Sequence, residues 1–173
     1  GIIQSMVGET YGNHFYPALS GVAQSHNYYP FSHMKPEEGF AIASVGLGKY
    51  VVEGNRAYRF SPKYPTTEIL TPKDQIQNSQ VHFYAVDLKK QNLNLLEGDM
   101  AGLIKADIYE GEKHGTLKHC ASTYDINNNS IIAGLDKPGP RVINFANILK
   151  YKYIPMAETI EVVLNIVEEA LGS

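Results

Sequence analysis

A glycine-rich turn that ends in a lysine is the feature of this sequence best suited to chemistry. Gly46, Gly48 and Lys49 directly follow an apolar stretch at residues 40–45. Glycines allow backbone amides to approach a phosphate closely, and a lysine neutralises its charge. The spacing is not that of a P-loop, because Tyr50 follows the lysine instead of serine or threonine. The turn alone therefore leaves two interpretations open, a phosphate-binding loop and a purely structural turn.

The densest basic stretch of the chain lies shortly after this turn and contains Arg56, Arg59 and Lys63. Guanidinium groups are suited to bidentate contacts with phosphate. Ordinary surface charge accounts for the same residues equally well. The stretch leaves both interpretations open.

Other residues of reactive type are expected to be structural. His114, His119 and Cys120 are zinc-ligand types, but a structural zinc site usually has four ligands and the chain has no second cysteine. A cysteine near a histidine in sequence does not supply the geometry of a thiol nucleophile, so Cys120 is expected to be buried. Four acidic residues near the C-terminus are expected to form the solvated face of a helix: Glu158, Glu161, Glu168 and Glu169.

The composition limits the possible partners. The chain has 173 residues, 43% of them hydrophobic, which suffices for one domain. A formal charge of −3 and a pI near 6.1 provide no general basic field, so neither nucleic acid nor a membrane surface is expected as a partner. Because Cys120 is the only cysteine, no internal disulfide can form, and a cytoplasmic location is expected.

The first half of the chain is rich in strand signals. Alternating small apolar and polar residues predict a half-exposed strand at residues 19–27, and the apolar run at residues 40–45 predicts a buried one. Residues 46–54 predict a glycine-rich turn with one short helical turn, and residues 57–60 a further strand. Residues 61–78 contain three prolines, so no regular element is expected there.

The second half combines strands with one long helix. Strands are predicted at residues 81–87 and 103–109, and residues 120–124 and 130–134 predict a hairpin around an asparagine-rich turn. Residues 142–149 fit either a strand or a short helix. From Pro155 onward, apolar residues recur at helical spacing, which predicts an amphipathic helix with this stripe: Met156, Ile160, Val163, Leu164, Val167 and Leu171. The fold class expected is therefore α+β, with a mainly antiparallel or mixed sheet and a C-terminal helix.

Two separated blocks of the sequence resemble a known family. The sequence looks like the N-terminal ATP-binding region of phosphoenolpyruvate synthases in two places. The first block is Ser20-Gly21-Val22, and the second is the apolar strand that runs into Gly46-Leu47-Gly48 and Val51-Val52-Glu53-Gly54. Pyruvate phosphate dikinase and rifampin phosphotransferase are related. The resemblance covers nearly the whole chain, and the Gly-Leu-Gly block is its most specific part. It implies an ATP-grasp fold, which clamps ATP between two subdomains.

The chain departs from this family in ways that bear on catalysis. Lys49 stands where the family has a glutamate that helps to hold the metal, and Glu53 has a different offset. The Arg-Ser-Ser segment and the phosphohistidine block, Thr-Ser-His-Ala, that the family uses do not occur here. The chain also begins without methionine, so residues 1–173 are expected to be an excised domain or subdomain of a larger protein, inactive alone.

The resemblance implies a phosphotransferase of the kinase or dikinase type. ATP with Mg²⁺ would phosphorylate pyruvate or a similar acceptor, through a histidine on another domain of the parent protein. Eight residues are expected to contribute to the nucleotide cleft: Ser20, Gly21, Val22, Gly46, Gly48, Lys49, Glu53 and Arg56. Because Lys49 replaces an acid, an alternative is a non-catalytic ATP-grasp relative that serves as a nucleotide sensor or a scaffold.

Overall fold

Ten strands and five α-helices make up the described part of the chain. The computed structural model describes residues 1–31, 33–68, 70–90 and 94–171. In chain order the elements are β1 (Glu9–Tyr11), β2 (His14–Tyr16), β3 (Ser20–Gln24), β4 (Phe40–Ser44), α1 (Lys49–Val52), β5 (Tyr58–Phe60), α2 (Pro72–Gln77), β6 (His82–Asp87), β7 (Leu103–Asp107), α3 (Ile108–Lys113), β8 (Ala121–Asp125), β9 (Ser130–Ala133), β10 (Arg141–Ile143), α4 (Ala146–Leu149) and α5 (Met156–Leu171). Short 3₁₀ segments occupy Pro36–Glu38, Leu95–Met100 and Thr116–His119.

The strands form three antiparallel sheets, of order β1-β2-β6-β7, β3-β4-β5 and β10-β8-β9. The fold class is α+β with antiparallel sheets and a C-terminal helix, as the sequence predicts. One apolar core joins the three sheets, and its largest fully buried side chains include Tyr16, Val45, Phe83, Leu117 and Phe145. In the part of the chain that the structure describes, none of the helices combines the length and the apolar character that a membrane crossing requires.

Most of the strands follow the local pattern. The predicted strands at residues 19–27, 40–45, 57–60 and 81–87 correspond to β3, β4, β5 and β6. The predicted hairpin is formed by β8 and β9, in which Asp125 pairs with Ser130. Residues 142–149 contain both alternatives, since β10 ends at Ile143 and α4 begins at Ala146.

Two short helices contradict the sequence prediction. Residues 61–78 contain α2, because Pro72 occupies the first turn, where its missing amide costs nothing, and Thr71 Oγ1 accepts a hydrogen bond from Asp74 N at 3.2 Å. The strand predicted at residues 103–109 ends at Asp107, whose Oδ1 accepts from Tyr109 N at 2.9 Å and so caps α3. In both cases the cap residue resembles a turn signal in sequence.

The C-terminal helix α5 is buried mainly along its first half. Ala157 is buried, and Met156, Ile160 and Leu164 are partly buried. The stripe predicted from helical spacing is covered only in part, because Val163, Val167 and Leu171 are 51%, 44% and 75% exposed. The apolar spacing thus identifies the helix but not the face that packs.

Candidate functional site

The glycine-rich turn lies between β4 and α1 and rests on the backbone of β6. Leu47 N donates a hydrogen bond to Tyr84 O at 2.9 Å. Gly46 has a φ of +83°, and a Cβ there would lie 2.8 Å from Tyr84 O and 2.9 Å from Phe83 Cβ. Both the left-handed backbone and the close approach require glycine at this position. The turn is therefore fixed by its contact with β6.

Ser20 joins the two blocks that carry the family resemblance. Its Oγ donates to Gly46 O at 2.7 Å and lies 3.5 Å from Ser44 Oγ. The space beside Gly48 is open, since the atom nearest to an added Cβ is Ser20 Oγ at 3.9 Å. The beginning of β3 and the glycine-rich turn, separated in sequence, are thus in direct contact.

The next two residues of β3 are among the five that pair with β4. Gly21 pairs with Ala43, and a Cβ on Gly21 would lie 2.2 Å from Ile42 O, so the close strand approach requires glycine. Val22 pairs with Ile42 and its side chain is 45% exposed. These two predicted site residues therefore shape the edge of the sheet beside the turn.

Lys49 at the start of α1 is held between two carboxylates. Its Nζ lies 2.8 Å from Glu53 Oε1, one helical turn later, and also contacts Asp99 Oδ2. The lysine side chain is 16% exposed, whereas that of Asp99 is 80% exposed. Hydrogen bonds to Asp99 and then to Glu53 raise the pKa of Lys49, so the ammonium is charged. This cation is neutralised by neighbours from α1 and from the segment Leu95–Met100.

Glu53 connects the helix α1 to strand β6. Its Oε2 accepts from Tyr84 Oη at 2.7 Å and from Asn55 Nδ2 at 3.0 Å. Hydrogen bonding to Lys49, and then to Tyr84, lowers the pKa of Glu53 to about 2, so this carboxylate is ionised at neutral pH. Both of its oxygens are engaged by protein donors.

His82 and Tyr84 of β6, which local sequence does not mark as functional, complete the cluster around Lys49 and Glu53. His82 and Tyr84 lie two residues apart on β6, and the His82 ring contacts Tyr50 and Tyr84 with centroids 5.1 and 5.9 Å apart. His82 Nε2 is buried without a hydrogen-bond partner among the described residues. Burial lowers the pKa of the His82 imidazole, and the Lys105 ammonium lowers it further. Strand alternation at residues 81–87 placed His82 and Tyr84 on one face, but nothing local identified what that face contacts.

Arg56 lies apart from the Lys49 cluster. Its Nη1 donates to Gln77 O at 2.6 Å, at the end of α2. Among the described residues, its guanidinium forms no hydrogen bond or ion pair with Lys49 or the glycine-rich turn. Of the eight predicted site residues, six therefore lie on β3, the turn and α1, Glu53 caps the end of α1, and Arg56 reaches toward α2.

The chemistry that this arrangement offers is anion binding by backbone and ammonium groups. In the described residues, the backbone amides of Gly48 and Lys49 donate to no carbonyl or side-chain acceptor, and both residues are partly exposed. A phosphate oxygen there would meet two adjacent N–H groups, with the Lys49 ammonium on the same residue. No group of three or more histidine, cysteine or acidic residues suited to a metal ion occurs in the described ranges.

The residues considered for zinc or thiol chemistry have structural contacts. Cys120 is 1% exposed, and burial raises the pKa of its thiol to about 12, as expected of a cysteine in the core. His114 Nδ1 lies 2.8 Å from the hydroxyl of buried Tyr16, and His119 stacks on Tyr153 with ring centroids 3.8 Å apart.

The chain matches no family model, no curated protein and no solved structure.

Proposed function

We propose that this chain forms part of the ATP-binding region, of ATP-grasp type, in a phosphoenolpyruvate synthase-like phosphotransferase. The observation that supports the proposal is the contact between Ser20 Oγ and Gly46 O, at 2.7 Å. It brings together the two sequence blocks that resemble the family. The parent protein would transfer phosphate from ATP to pyruvate or a similar acceptor through a histidine on another domain.

A phosphate group fits the open side of the glycine-rich turn. Gly48 carries no side chain there, and the amides of Gly48 and Lys49 are unused by the described residues. The carboxylate of Asp99 pairs with the Lys49 ammonium, but the Asp99 side chain is 80% exposed and can move into solvent, which leaves the ammonium to a phosphate. Binding would therefore replace Asp99 and leave the pair between Lys49 and Glu53, the residue that caps α1.

Mg²⁺ does not fit this cluster as a protein-held ion. The ion prefers several oxygen ligands in octahedral geometry. Glu53 offers oxygens that Lys49, Tyr84 and Asn55 already occupy, and the ammonium of Lys49 lies between Glu53 and Asp99. In this proposal the metal comes with the nucleotide, and Lys49 supplies the protein's charge.

The pairing of Lys49 favours a second candidate function, a non-catalytic ATP-grasp relative that acts as a nucleotide sensor or scaffold. The ammonium of Lys49, held by two carboxylates, links α1 to the segment Leu95–Met100. Such a link does not require a reacting phosphate.

Calorimetric titration of the chain with ATP, with and without Mg²⁺, tests the proposal. The variant Lys49→Ala is expected to bind ATP at least about 10-fold more weakly, because a charged hydrogen bond to phosphate is lost. Lys113→Ala is the matched control, since Lys113 is also a helical lysine paired with a glutamate of its own helix. Equal ATP affinity in wild type and Lys49→Ala would exclude a phosphate contact by this lysine.

Neutralising Asp99 provides a test of opposite sign. Asp99→Asn is expected to tighten ATP binding about 2- to 5-fold at low salt, because the competing carboxylate is removed. Asp136→Asn removes an exposed carboxylate elsewhere and controls for the change in net charge. ATP binding by the parent protein without ATP-dependent phosphorylation of a histidine would favour the sensor over the enzyme.

A further inference from the structure

A cavity of about 270 Å³ lies between β5, α2 and β10, and the proposed nucleotide site does not use it. Its apolar walls come from Tyr58, Leu70, Val142 and Ile143. Ser79 Oγ accepts a hydrogen bond from Ile143 N at 2.8 Å, which ties the end of the α2 segment to β10. Apolar cavities of about 150 Å³ already accommodate benzene. The space is therefore large enough for a substituted ring or a small bicyclic molecule.

Two buried amide side chains line this cavity. Gln75 is 8% exposed and Asn144 is 6% exposed. Gln75 Nε2 donates to Leu70 O at 3.2 Å, and Asn144 Oδ1 accepts from Ser122 Oγ at 3.0 Å and from Ala146 N at 3.2 Å. Because a backbone carbonyl only accepts and a backbone amide only donates, these bonds fix which end of each amide is oxygen and which is nitrogen.

Each of these side-chain amides has one polar atom without a hydrogen bond in the described residues. Among the described residues, no hydrogen bond reaches Gln75 Oε1 or Asn144 Nδ2. In the described ranges, the buried side-chain polar atoms that lack a hydrogen-bond partner are His14 Nδ1 and His82 Nε2, so Gln75 Oε1 and Asn144 Nδ2 are not fully buried. Both atoms thus keep access to open space, and both residues line this cavity. The lining residues therefore include one with a free acceptor and one with a free donor, next to apolar walls.

Both charged residues of the lining have contacts within the protein. Arg59 Nη2 donates to Asn27 Oδ1 at 2.7 Å, and its guanidinium lies 3.8 Å from the centre of the Phe40 ring. Glu68 forms an ion pair with Lys150. Arg59 has no carboxylate partner among the described residues, but it is exposed and held against Asn27 and Phe40. The two buried amides of the lining, Gln75 and Asn144, are uncharged, and an ion placed against them would lose its hydration, which is costly. The occupant that fits these two amides is uncharged.

We propose that this cavity binds a small, planar, uncharged ligand that donates a hydrogen bond to Gln75 Oε1 and accepts one from Asn144 Nδ2. Aromatic carboxamides and neutral heterocyclic bases have this combination of ring and polar edge. The ring would pack between Tyr58 and the aliphatic residues Val142 and Ile143. Pockets with apolar walls and a few placed polar groups are the usual form of small-molecule sites.

NMR titration of the ¹⁵N-labelled chain with three probes tests the proposal. Benzamide and adenine carry the polar edge, and toluene has the ring without it. We expect benzamide or adenine to bind with a Kd on the order of 1 mM, as befits so small a ligand, and toluene at least about 5-fold more weakly. The relative affinities of benzamide and adenine distinguish carboxamide from heterocyclic base.

Two variants locate the binding. Gln75→Met keeps the side-chain length and removes the acceptor, so the preferred polar probe should bind about 5-fold more weakly while toluene is unaffected. Leu70→Trp places a larger ring at the wall and should weaken binding of every probe. Leu70 is 42% exposed, so its replacement does not disturb the core, and Leu88→Trp, at a site 49% exposed outside the lining, is the matched control.

Three results would overturn the proposal. One is absence of shifts with both polar probes up to about 10 mM, ten times the expected Kd. Another is toluene binding as tightly as the polar probes, which would reduce the cavity to an apolar void. The last is unchanged affinity in Leu70→Trp, which would place the binding elsewhere even if Gln75→Met failed to fold.

Discussion

Replacing Gly46 by alanine is expected to destabilise the fold more than the same change at Gly54, at the other end of the same motif. Both glycines have left-handed backbones, with φ of +83° and +70°. An added Cβ at Gly54 meets no atom within 4 Å, whereas at Gly46 it lies 2.8 Å from Tyr84 O and 2.9 Å from Phe83 Cβ. The two variants therefore share the backbone strain and differ in packing.

The magnitude follows from these two contributions. A left-handed backbone costs a residue with a Cβ about 1–2 kcal/mol, in both variants. Overpacking against a fixed neighbour typically costs about 1–3 kcal/mol more, and Phe83 is fully buried while Tyr84 O already accepts from Leu47 N. Gly46→Ala should therefore lower the free energy of unfolding by about 2–5 kcal/mol, and Gly54→Ala by about 1–2 kcal/mol.

Urea denaturation of both variants measures this difference directly. The entropy that alanine removes from the unfolded chain is common to both and cancels. In a chain of 173 residues, each kcal/mol corresponds to about 2–4 °C in Tm, so thermal melts provide an independent check. Unfolding free energies of the two variants that agree within about 0.5 kcal/mol, a typical limit for independent effects, would refute the contact between the turn and β6.

Three further results are expected. The pKa of Glu53, held at about 2 chiefly by Lys49, should rise toward its ordinary 4.5 in Lys49→Met, as followed by NMR; an unchanged NMR titration midpoint would contradict the pairing. Because the folded pKa is lower than the unfolded one, the stabilisation that Glu53 provides is present above pH 4.5 and is lost as the pH falls toward 2. Cys120, 1% exposed and with its thiol pKa raised by burial to about 12, should resist a thiol reagent at pH 8 until denaturant is added; rapid labelling of the native chain would show an open core. Thr71→Ala should cost about 1 kcal/mol in urea denaturation through loss of the α2 cap, and a wild-type midpoint would argue that the cap contributes nothing.

Local sequence pattern was sufficient where the structure depends on near neighbours. The β8–β9 hairpin and the individual strands β3 and β4 were predicted, because alternation, an apolar run and turn residues determine them. The helix α2 was missed because Thr71 and Pro72 serve equally well as breakers and as the first residues of a helix. The strands β1 and β2 were not assigned, since β2 is held by pairing with distant β6.

The residues of the candidate site likewise divide into those that local sequence identifies and those that only tertiary packing brings together. The glycine-rich turn and Lys49 were identified from their types and spacing. Tyr84 and Asp99 were not, because both reach Lys49 or Glu53 only through tertiary packing. Arg56 was grouped with Lys49 from its nearness in sequence, but its guanidinium bonds Gln77 O instead.

The charges around Lys49 bear on whether this cluster binds a nucleotide. With Glu53 ionised down to about pH 2, the cluster of Lys49, Glu53 and Asp99 carries a net charge of −1 at neutral pH, which opposes an anionic nucleotide. Phosphate binding therefore requires Asp99 to leave, and its exposure makes that inexpensive. If Asp99 stays in place, the same three residues act as a link between α1 and the segment Leu95–Met100, and the glycine-rich turn is structural. In the proposal, the position of a single exposed carboxylate thus separates a nucleotide site from a structural link.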